Sequence, residues 1–341
     1  MGREHLYALR SLGEGFEVAC VCDIDPDKAS RVAQEEQVPA WTTSFDEMIA
    51  MDLDILAICT PSNLHHAQAL AALAAGKHVI LEKPAAGSLR EIDELAAAAD
   101  LSDKLLMPVF QQRFGQGLQK LKYLVDLGLA GKPILATAET AWRRRPPYYA
   151  TWHGRWETEL GGALATLGIH AHDQVCYILG PASSVMAHVD TLVNPIETED
   201  TAAISLRMRN GALAAFSVTT GSAQETTRLR FCFSNLSAES NPTPYAPSRE
   251  PWIFTGDTPE IEAEIQSALE NFQPQPESLA GQFQRYYETL TLGTPLPVTL
   301  QDAYTAVELL TAIYLSARTR QAVDLPIPVD HPYYSGWRNA G

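Results

Sequence analysis

The chain has 341 residues, of which 46% are hydrophobic and 19% are charged, a composition typical of soluble globular proteins. Its length suggests about two domains. Because 25 Lys and Arg stand against 41 Asp and Glu, the net charge of −16 argues against non-specific binding to nucleic acid or to anionic membranes. No apolar run approaches about 18 residues and no export signal is recognisable, so we expect no membrane insertion.

The cysteines predict free thiols. Their spacing matches neither a zinc site nor a disulfide framework, and three of them lie in apolar runs with strand character. We therefore expect buried thiols in a reducing cytoplasm and no bound metal. The five residues are Cys20, Cys22, Cys59, Cys176 and Cys232.

Helix and strand patterns alternate over residues 1–113. The opening MGREHLYALR predicts a helix, because Leu6, Leu9 and Leu12 form one apolar stripe. Four short apolar runs predict buried parallel strands, namely VACVC, DILAICT, KHVILEKP and KLLMPV. Repeated strand–helix units of this length predict a parallel sheet wrapped by helices.

Several helix starts in this half carry capping signals. Asp25 predicts an N-cap, followed by proline in the first turn. Ser44 with Glu47, and Ser88 with Glu91, have the spacing of a capping box.

The pattern changes after residue 113. The strand run KPILATAETAW is followed by a loop, a helix and four consecutive strand runs, which predict an antiparallel sheet. Asn210-Gly211 predicts a two-residue hairpin turn between two of these strands. Residues 237–260 are rich in Pro and Ser and predict a long loop. A late amphipathic helix, LQDAYTAVELLTAIYLSART, follows.

Asp23 lies where the first apolar run ends. In dinucleotide-binding folds, a carboxylate there accepts hydrogen bonds from the adenosine ribose, and its charge repels the 2′-phosphate of NADP. The alternative is an ordinary solvated or capping aspartate.

The EKP stretch closes the third run, at the carboxyl end of a strand where open α/β sheets bind ligands. Lys83 could there donate to a substrate hydroxyl or help to pass a proton. The alternative is a surface lysine after a strand.

A histidine-bearing helix is the third candidate. In GGALATLGIHAHD, helical spacing puts Thr166 and His170 on one face, and also His170 and Asp173. A histidine can accept a hydroxyl proton near neutral pH. The alternative is a core histidine. His170 and His172 do not predict a metal site, because residues two apart on a helix diverge.

An aromatic and basic stretch, WRRRPPYYATWHGRW, is conspicuous in so acidic a chain. It predicts an anionic or sugar-like ligand, the alternative being a structured surface loop or a subunit contact. Its members are Trp142, Arg143, Arg144, Arg145, Tyr148, Tyr149, Trp152, Arg155 and Trp156.

Together these stretches resemble the glucose–fructose oxidoreductase/inositol dehydrogenase/MocA family over nearly the whole chain, including TPSNLHH and the late HPYYSGW. The resemblance implies an NAD-binding Rossmann domain, a doubly wound parallel sheet, over residues 1–113. It implies a substrate-binding and oligomerisation domain of α/β type over residues 114–341, with a large open, mainly antiparallel sheet. It also implies hydride transfer between a nicotinamide dinucleotide and a sugar or cyclitol carbon.

The resemblance assigns roles to individual positions. Lys83 and His170 match the family's catalytic lysine and histidine. The positions that we expect near the cofactor are Gly2, Asp23, Thr60, Pro61, His65, Glu82, Lys83, Arg113, Trp142 and Arg143. The positions that we expect to bind substrate are Tyr148, Tyr149, Arg155, Trp156, Thr166, His170 and Asp173.

The sequence departs from the family pattern at Thr166. Many members carry aspartate four residues before the histidine, and some carry asparagine. Threonine cannot accept a proton at neutral pH, so the acid–base work would fall on His170 and Lys83.

The second departure is at the start. GREH resembles the end of the fingerprint G-x-G-x-x-G-x-x-H, with Gly2 as the third glycine. The first two glycines and the strand before them are not in the sequence. We expect that strand to be central in the parallel sheet, and the true start to lie about ten residues upstream.

These observations predict an NAD-dependent oxidoreductase, with NADP disfavoured, that acts on a secondary hydroxyl of a sugar, cyclitol or sugar derivative. The alternative is a non-catalytic sensor of the same fold that binds a nucleotide or a sugar. We expect a cytoplasmic homodimer or homotetramer, assembled through the open sheet.

Overall fold

The computed structural model describes residues 1–337. Its N-terminal part alternates helices with short strands, as the sequence predicts. The elements are α1 (Gly2–Ser11), β1 (Cys20–Cys22), α2 (Pro26–Glu35), β2 (Ala40–Thr42), α3 (Phe45–Ala50), β3 (Ile55–Ile58), α4 (His65–Ala74), β4 (His78–Leu81), α5 (Leu89–Ser102) and β5 (Leu106–Pro108).

The parallel strands of this part form two separate sheets within the described residues. Strand β1 pairs with β2, whereas β3, β4 and β5 pair in that order. In the usual Rossmann order, the first strand lies between the second and the fourth. The division between β1 and β3 therefore falls at the position that the first strand occupies in that order.

The capping signals are confirmed at the helix starts, but the capping boxes are only half formed. The Ser88 hydroxyl accepts from the Glu91 N–H at 3.2 Å, but the Glu91 carboxylate accepts from the Gly87 N–H at 2.7 Å. Ser44 likewise accepts from the Glu47 N–H, while its own N–H donates to a threonine hydroxyl. The Asp25 side chain caps α2.

The C-terminal part is built on one large sheet. Its elements are α6 (Gln116–Asp126), β6 (Pro133–Arg143), α7 (Pro146–Tyr149), α8 (Trp156–Glu159), α9 (Ile169–Leu179), β7 (Ala182–Asp190), β8 (Thr201–Met208), β9 (Leu213–Thr219), β10 (Gly221–Phe233), β11 (Leu236–Glu239), β12 (Ile253–Gly256), α10 (Pro259–Glu270), α11 (Ser278–Leu292), α12 (Leu300–Thr319) and β13 (Val323–Asp324).

The eight strands follow the order β12-β11-β10-β6-β9-β8-β7-β13. All neighbours are antiparallel except β6 and β9, which are parallel. Exposed and buried residues alternate along β8 and β9, because one face of the sheet packs on helices and the other does not. Helix α9 contacts β6 and β9, and α12 contacts β7.

The hairpin between β8 and β9 confirms the turn signal, with a longer loop than two residues. Met208 N–H donates to Ala212 O at 2.8 Å, which leaves three residues in the loop. Gly211 has φ of +91°, a conformation that glycine adopts without steric cost. The turn therefore has the three-residue geometry with glycine in the left-handed position.

The prediction of one long loop over residues 237–260 is wrong. Strands β11 and β12 occupy both ends of this segment, and α10 begins at Pro259. Both strands lie at the edge of the sheet beyond β10. Their pairing partners, rather than an apolar pattern, make them strands.

The C-terminal helices also pack against the N-terminal part. Helix α11 contacts α1, and α12 contacts α5 and β5. The predicted domain boundary between residues 113 and 114 stays a prediction. One hydrophobic core contains residues from both sides of it. No helix among residues 1–337 is long and apolar enough to cross a membrane.

Candidate active site

Lys83 joins the two parts of the chain. It follows β4, where the carboxyl ends of the parallel strands meet, and its Nζ donates to the backbone oxygen of Thr166 at 2.8 Å. Burial lowers the pKa of Lys83, while the charges of Glu82 and Glu159 oppose this effect. The structure thus brings the predicted lysine to the helix that carries the predicted histidine.

His170 lies on the first turn of α9 and is partly exposed. Its Nδ1 is buried without a hydrogen-bond partner among the described residues. Burial, together with the charge of Lys83, lowers the pKa of His170 to about 3. The imidazole is therefore neutral at pH 7 and has an acceptor nitrogen.

Thr166 lies on a π-helical turn, Leu164–Gly168, which runs directly into α9. The wider turn replaces the regular helix that the spacing to His170 predicts. Its hydroxyl donates to the backbone oxygen of Gly162 at 2.8 Å. The side chain is thus bonded within its own helix, whereas its carbonyl faces Lys83.

Glu82 is buried and ion-paired with a residue from the first helix. Its Oε1 lies 2.8 Å from Nε2 of His5, and its Oε2 accepts from the Lys83 N–H at 3.2 Å. Burial alone would raise the pKa of Glu82, but the hydrogen bond and charge of His5 lower it. This pair fixes α1 to the end of β4.

His65 connects two strand ends. Its Nδ1 lies 2.7 Å from the Pro84 oxygen and its Nε2 lies 2.8 Å from the Thr60 oxygen. The ring is 1% exposed, and burial lowers its pKa. Its contacts hold the Thr60–Pro61 turn beside the EKP turn, so it acts here as a structural link.

Asp23 lies at the carboxyl end of β1, and Gly2 lies at the N-terminus of α1. Asp23 follows β1, is half-buried, and accepts from the Asp25 N–H at 3.0 Å. Gly2 begins α1, and a Cβ added there would meet nothing within 4 Å. The space beside Gly2 is therefore open.

Arg113 and Asp173 are paired with each other rather than presented to a ligand. Arg113 donates to Asp173 at 2.6 Å and to Asp302 at 3.0 Å, and both Arg113 and Asp173 are buried. With His172, they line a cavity of about 240 Å³ between α9 and α12. The predicted roles of Arg113 near the cofactor and of Asp173 at the substrate stay predictions. In this structure both side chains are already engaged in ion pairs.

His172 does not extend the active site. Both its ring nitrogens are buried without partners among the described residues, and its ring meets Phe216 edge-on at 5.8 Å. No group of three or more potential metal ligands occurs in the described part of the chain.

The aromatic and basic stretch contacts β10 and the loop between β11 and β12. Trp142 donates to Thr227 at 2.8 Å and stacks on Tyr245, with ring centroids 3.9 Å apart. The Arg143 N–H donates to Glu225 at 2.9 Å. Both residues are therefore held against β10, and their roles near the cofactor stay predictions.

Further along the stretch, side chains line a small cavity with Thr166. Tyr148 and Tyr149 are among its lining residues, and the Tyr149 hydroxyl lies 3.0 Å from that of Thr220. Arg155 is exposed, and the Trp156 indole donates to the Glu197 oxygen at 2.9 Å. Of the predicted residues in the aromatic and basic stretch, Tyr148 and Tyr149 line this cavity with Thr166, and Arg155 and Trp156 do not.

Sequence reasoning missed two buried carboxylates in this cavity, Glu159 and Glu199. Glu199 accepts from the Gly162 and Leu164 N–H groups, each at 2.9 Å, and burial raises its pKa to about 7. Neither carboxylate belongs to a motif, so no local signal could have singled them out. The GREH stretch predicts only a resemblance to the fingerprint, and the pairing of its His5 with Glu82 was also missed.

A Rossmann-type parallel region, an open eight-stranded sheet and a lysine at a strand end define a two-domain dinucleotide-binding protein. Residues 1–110 match the model of the oxidoreductase family with an NAD-binding Rossmann fold. Residues 118–239 match that of the GFO/IDH/MocA C-terminal domain. The chain belongs to the glucose–fructose oxidoreductase/inositol dehydrogenase/MocA family, as the sequence predicts.

Named relatives are sugar and cyclitol dehydrogenases. D-glucoside 3-dehydrogenase from Escherichia coli K12 is 32% identical over 176 residues, 51% of this chain and 50% of that protein. Myo-inositol 2-dehydrogenase from Thermotoga maritima is 26% identical over 219 residues, 62% of this chain and 64% of that one. The chain spans about half the length of the curated relatives that it matches most strongly.

Solved structures match over more of the chain. The WlbA dehydrogenase from Bordetella pertussis, in complex with NADH and UDP-GlcNAcA, is 27% identical, with 96% of each chain covered and a TM-score of 0.84. Its counterpart from Chromobacterium violaceum is 29% identical, with 96% and 93% covered and a TM-score of 0.83. Levoglucosan dehydrogenase, at 20% identity and a TM-score of 0.81, shares the fold.

Proposed function

We propose that this protein is an NAD-dependent oxidoreductase that transfers hydride to or from a secondary hydroxyl carbon of a sugar, cyclitol or sugar derivative. Lys83 polarises the substrate oxygen, and neutral His170 takes or returns its proton. Family membership and the named dehydrogenases among the relatives support this activity.

One observation carries the proposal. The Nζ of Lys83 lies at the junction of the two domains, 2.8 Å from the Thr166 oxygen, and its charge acts on a neutral His170 whose Nδ1 has no hydrogen-bond partner within residues 1–337. A proton donor and a proton acceptor thus lie together at the carboxyl end of β4. A secondary alcohol or its ketone needs this pair of groups when hydride leaves or arrives.

The residues around the strand ends suit a nicotinamide dinucleotide. Gly2 offers open space at the N-terminus of a ten-residue helix, where backbone N–H groups favour phosphate. The Asp23 carboxylate would accept hydrogen bonds from the hydroxyls of the adenosine ribose. Thr60 and Pro61 would lie beside the phosphates of the cofactor. When bound, the nicotinamide ring supplies the hydride acceptor or donor.

The substrate class rests on the relatives and on the tyrosine-lined cavity. The two WlbA structures contain a nucleotide sugar acid, and the curated relatives are named for glucosides and inositols. In this chain Tyr148 and Tyr149 line one cavity with Thr166, and the ring of Tyr148 stacks on His153. Their hydroxyls would be the groups that meet a polyol.

Turnover assays test the proposal. We would follow NADH fluorescence with a panel of glucosides, inositols and UDP-sugars, in both reaction directions. Lys83→Ala and His170→Ala should each lower kcat by about 10²–10⁴-fold while NAD affinity changes little. Lys132→Ala, which removes an exposed lysine elsewhere, is the matched control.

Two outcomes would contradict it. Wild-type turnover in both site variants would remove Lys83 and His170 from the mechanism. Tight NAD or sugar binding without turnover of any panel member would favour the sensor of the same fold, in line with the hydroxyl of Thr166 being bonded to Gly162.

We further propose a homodimer or homotetramer that forms through the open face of the large sheet. Leu135 and Leu213 lie side by side in β6 and β9, 37% and 46% exposed. Apolar side chains on a sheet face are typical of a subunit contact. Light scattering after size exclusion should give a multiple of the 37.3 kDa chain mass, reduced by Leu213→Asp.

We also propose a cytoplasmic location. All five cysteines are free, which suits a reducing compartment. Cell fractionation with an antibody to the chain would test this, and recovery outside the cytoplasm would contradict it.

A further inference from the structure

Glu159 is a buried carboxylate at the end of α8. It is 1% exposed, lies 3.0 Å from Nδ1 of His153, and accepts from the Gly154 N–H. These donors compensate for its removal from water. It lines one cavity with Thr166 and Tyr148, directly beside the segment to which Lys83 is bonded.

The fold brings α8 to the N-terminal domain. Helix α8 contacts the 3₁₀ turn Ser62–Leu64, which follows β3, and β3 pairs with β4, the strand that precedes Lys83. Glu159 is therefore held by the C-terminal domain but lies close to the lysine of the N-terminal one. Its charge acts on Lys83 in the direction that favours the ammonium form.

Three charged or titratable groups face Lys83 from the surrounding elements: Glu82, Glu159 and His170. Glu82 is already paired with His5, and His170 is neutral. Glu159, which lies 3.0 Å from Nδ1 of His153, is the second carboxylate whose charge acts on the lysine, and it comes from a different domain.

We propose that Glu159 is a positioning residue for Lys83, held in the cavity beside Thr166 so that its carboxylate acts on the lysine at the junction of the two domains. The proposal rests on the proposed function for the task of the lysine in catalysis. It also gives a physical account of Thr166, where the family pattern leads us to expect a carboxylate. The charge near the lysine comes from α8 instead of from the turn before α9.

The state of Lys83 can be measured without a substrate. The full chain is treated with trace acetic anhydride between pH 6 and pH 11, and acetylation of Lys83 is quantified by peptide mass spectrometry. Because only the neutral amine reacts, the midpoint of the pH curve reports its protonation. Glu159→Gln should lower that midpoint by about one pH unit or more.

Matched variants separate charge from structure. Glu159→Asp keeps the charge and should hold the midpoint near that of the parent. Glu157→Gln removes an exposed charge from the same short helix and should leave the midpoint unchanged. Glu159→Met is a second neutral variant of similar length, and melting followed by circular dichroism shows which variants are folded.

An unchanged Lys83 midpoint in either folded neutral variant would overturn the proposal. In active enzyme, the alkaline limb of kcat/KM should also move to lower pH in Glu159→Gln. If no compound in the panel were turned over, the proposed function would fail, but the acetylation result would still stand because that assay needs no substrate. Failure of the proposed function and failure of the role of Glu159 are therefore distinguishable.

Discussion

Asp23 is the residue on which we expect cofactor choice to depend. Its carboxylate should repel a 2′-phosphate, so NAD should bind more tightly than NADP. Asp23→Asn keeps an acceptor for the Asp25 N–H but removes the charge. We expect the NAD/NADP affinity ratio to fall about tenfold or more, about 1.4 kcal/mol, when both cofactors are titrated by calorimetry.

The control for this substitution is Asp27→Asn, which removes an exposed carboxylate from the start of the next helix. It should leave the ratio unchanged. Equal affinities of the parent for the two cofactors would contradict the role of Asp23.

Glu199 should make the folded chain less stable as pH rises. Burial raises its folded pKa to about 7, above the ordinary 4.5, so the folded state binds more protons between these values. The parent should therefore lose roughly 3 kcal/mol from this group between pH 4.5 and pH 8. Glu199→Gln removes this loss, as urea unfolding at both pH values would show.

The readout is the change with pH rather than the absolute stability, because an amide at this position brings a donor that the carboxylate lacks. Glu197→Gln, exposed and two residues away, should keep the pH dependence of the parent. If Glu199→Gln kept it as well, burial would not be the cause.

Single residues were predictable where a motif surrounds them. Lys83 and His170 belong to stretches whose spacing is local, and the structure brings them together. The pairing of Arg113 with Asp173 was not predictable, because both partners lie in motifs of their own and meet only through folding. Glu159 has no motif at all, and only the packing of α8 on the turn after β3 places it near Lys83.

At the level of elements, α12 depends on a complete capping box that sequence reasoning missed. The Thr299 hydroxyl accepts from the Asp302 N–H at 3.3 Å, and the Asp302 carboxylate accepts from the Thr299 N–H at 2.7 Å. Thr299→Ala should lower the free energy of unfolding by about 1 kcal/mol. Urea unfolding followed by circular dichroism measures this.

Thr319→Ala changes an exposed threonine at the other end of α12 and should alter stability by less than about 0.5 kcal/mol. Equal losses in the two variants would show that the cap contributes nothing specific.

Elements were predictable where the apolar pattern is strong. The buried strands β3 and β4 are continuous apolar runs, whereas β11 and β12 have no such pattern and were assigned to a loop. A strand at a sheet edge is stabilised by backbone pairing with its neighbour, which no local composition reveals. The π-helical turn was missed for the same reason, because a regular helix fits its sequence equally well.

At the scale of the whole molecule, the last described segment joins both domains. The 3₁₀ turn Pro332–Ser335 contacts α5 and α12, and Trp337 is fully buried. The Trp337 indole donates to the Leu160 oxygen at 2.7 Å, and its ring stacks on Tyr314. Trp337→Ala should lower the free energy of unfolding by about 3–5 kcal/mol.

Trp337→Phe removes the donor to the Leu160 oxygen but keeps an aromatic ring in the core. Because the ring is kept, the free energy of unfolding should fall less than in Trp337→Ala. Urea unfolding followed in parallel by circular dichroism and tryptophan fluorescence would show both. A loss below about 1 kcal/mol for the alanine variant would mean that this segment does not hold the domains together.

The position of β6 between β9 and β10 has a consequence for how the protein forms. Residues that pair in the middle of this sheet are far apart in the chain, since Leu135 pairs with Leu213 and Ala141 with Thr226. Such non-local pairing slows folding, because the chain loses the entropy of closing a long loop before the stabilising contacts between the strands form. During synthesis on the ribosome, β6 cannot pair with either neighbour until β9 and β10 have been synthesised. The turn that carries Thr166 and the helix that carries His170 lie within that interval, so the active site is assembled late.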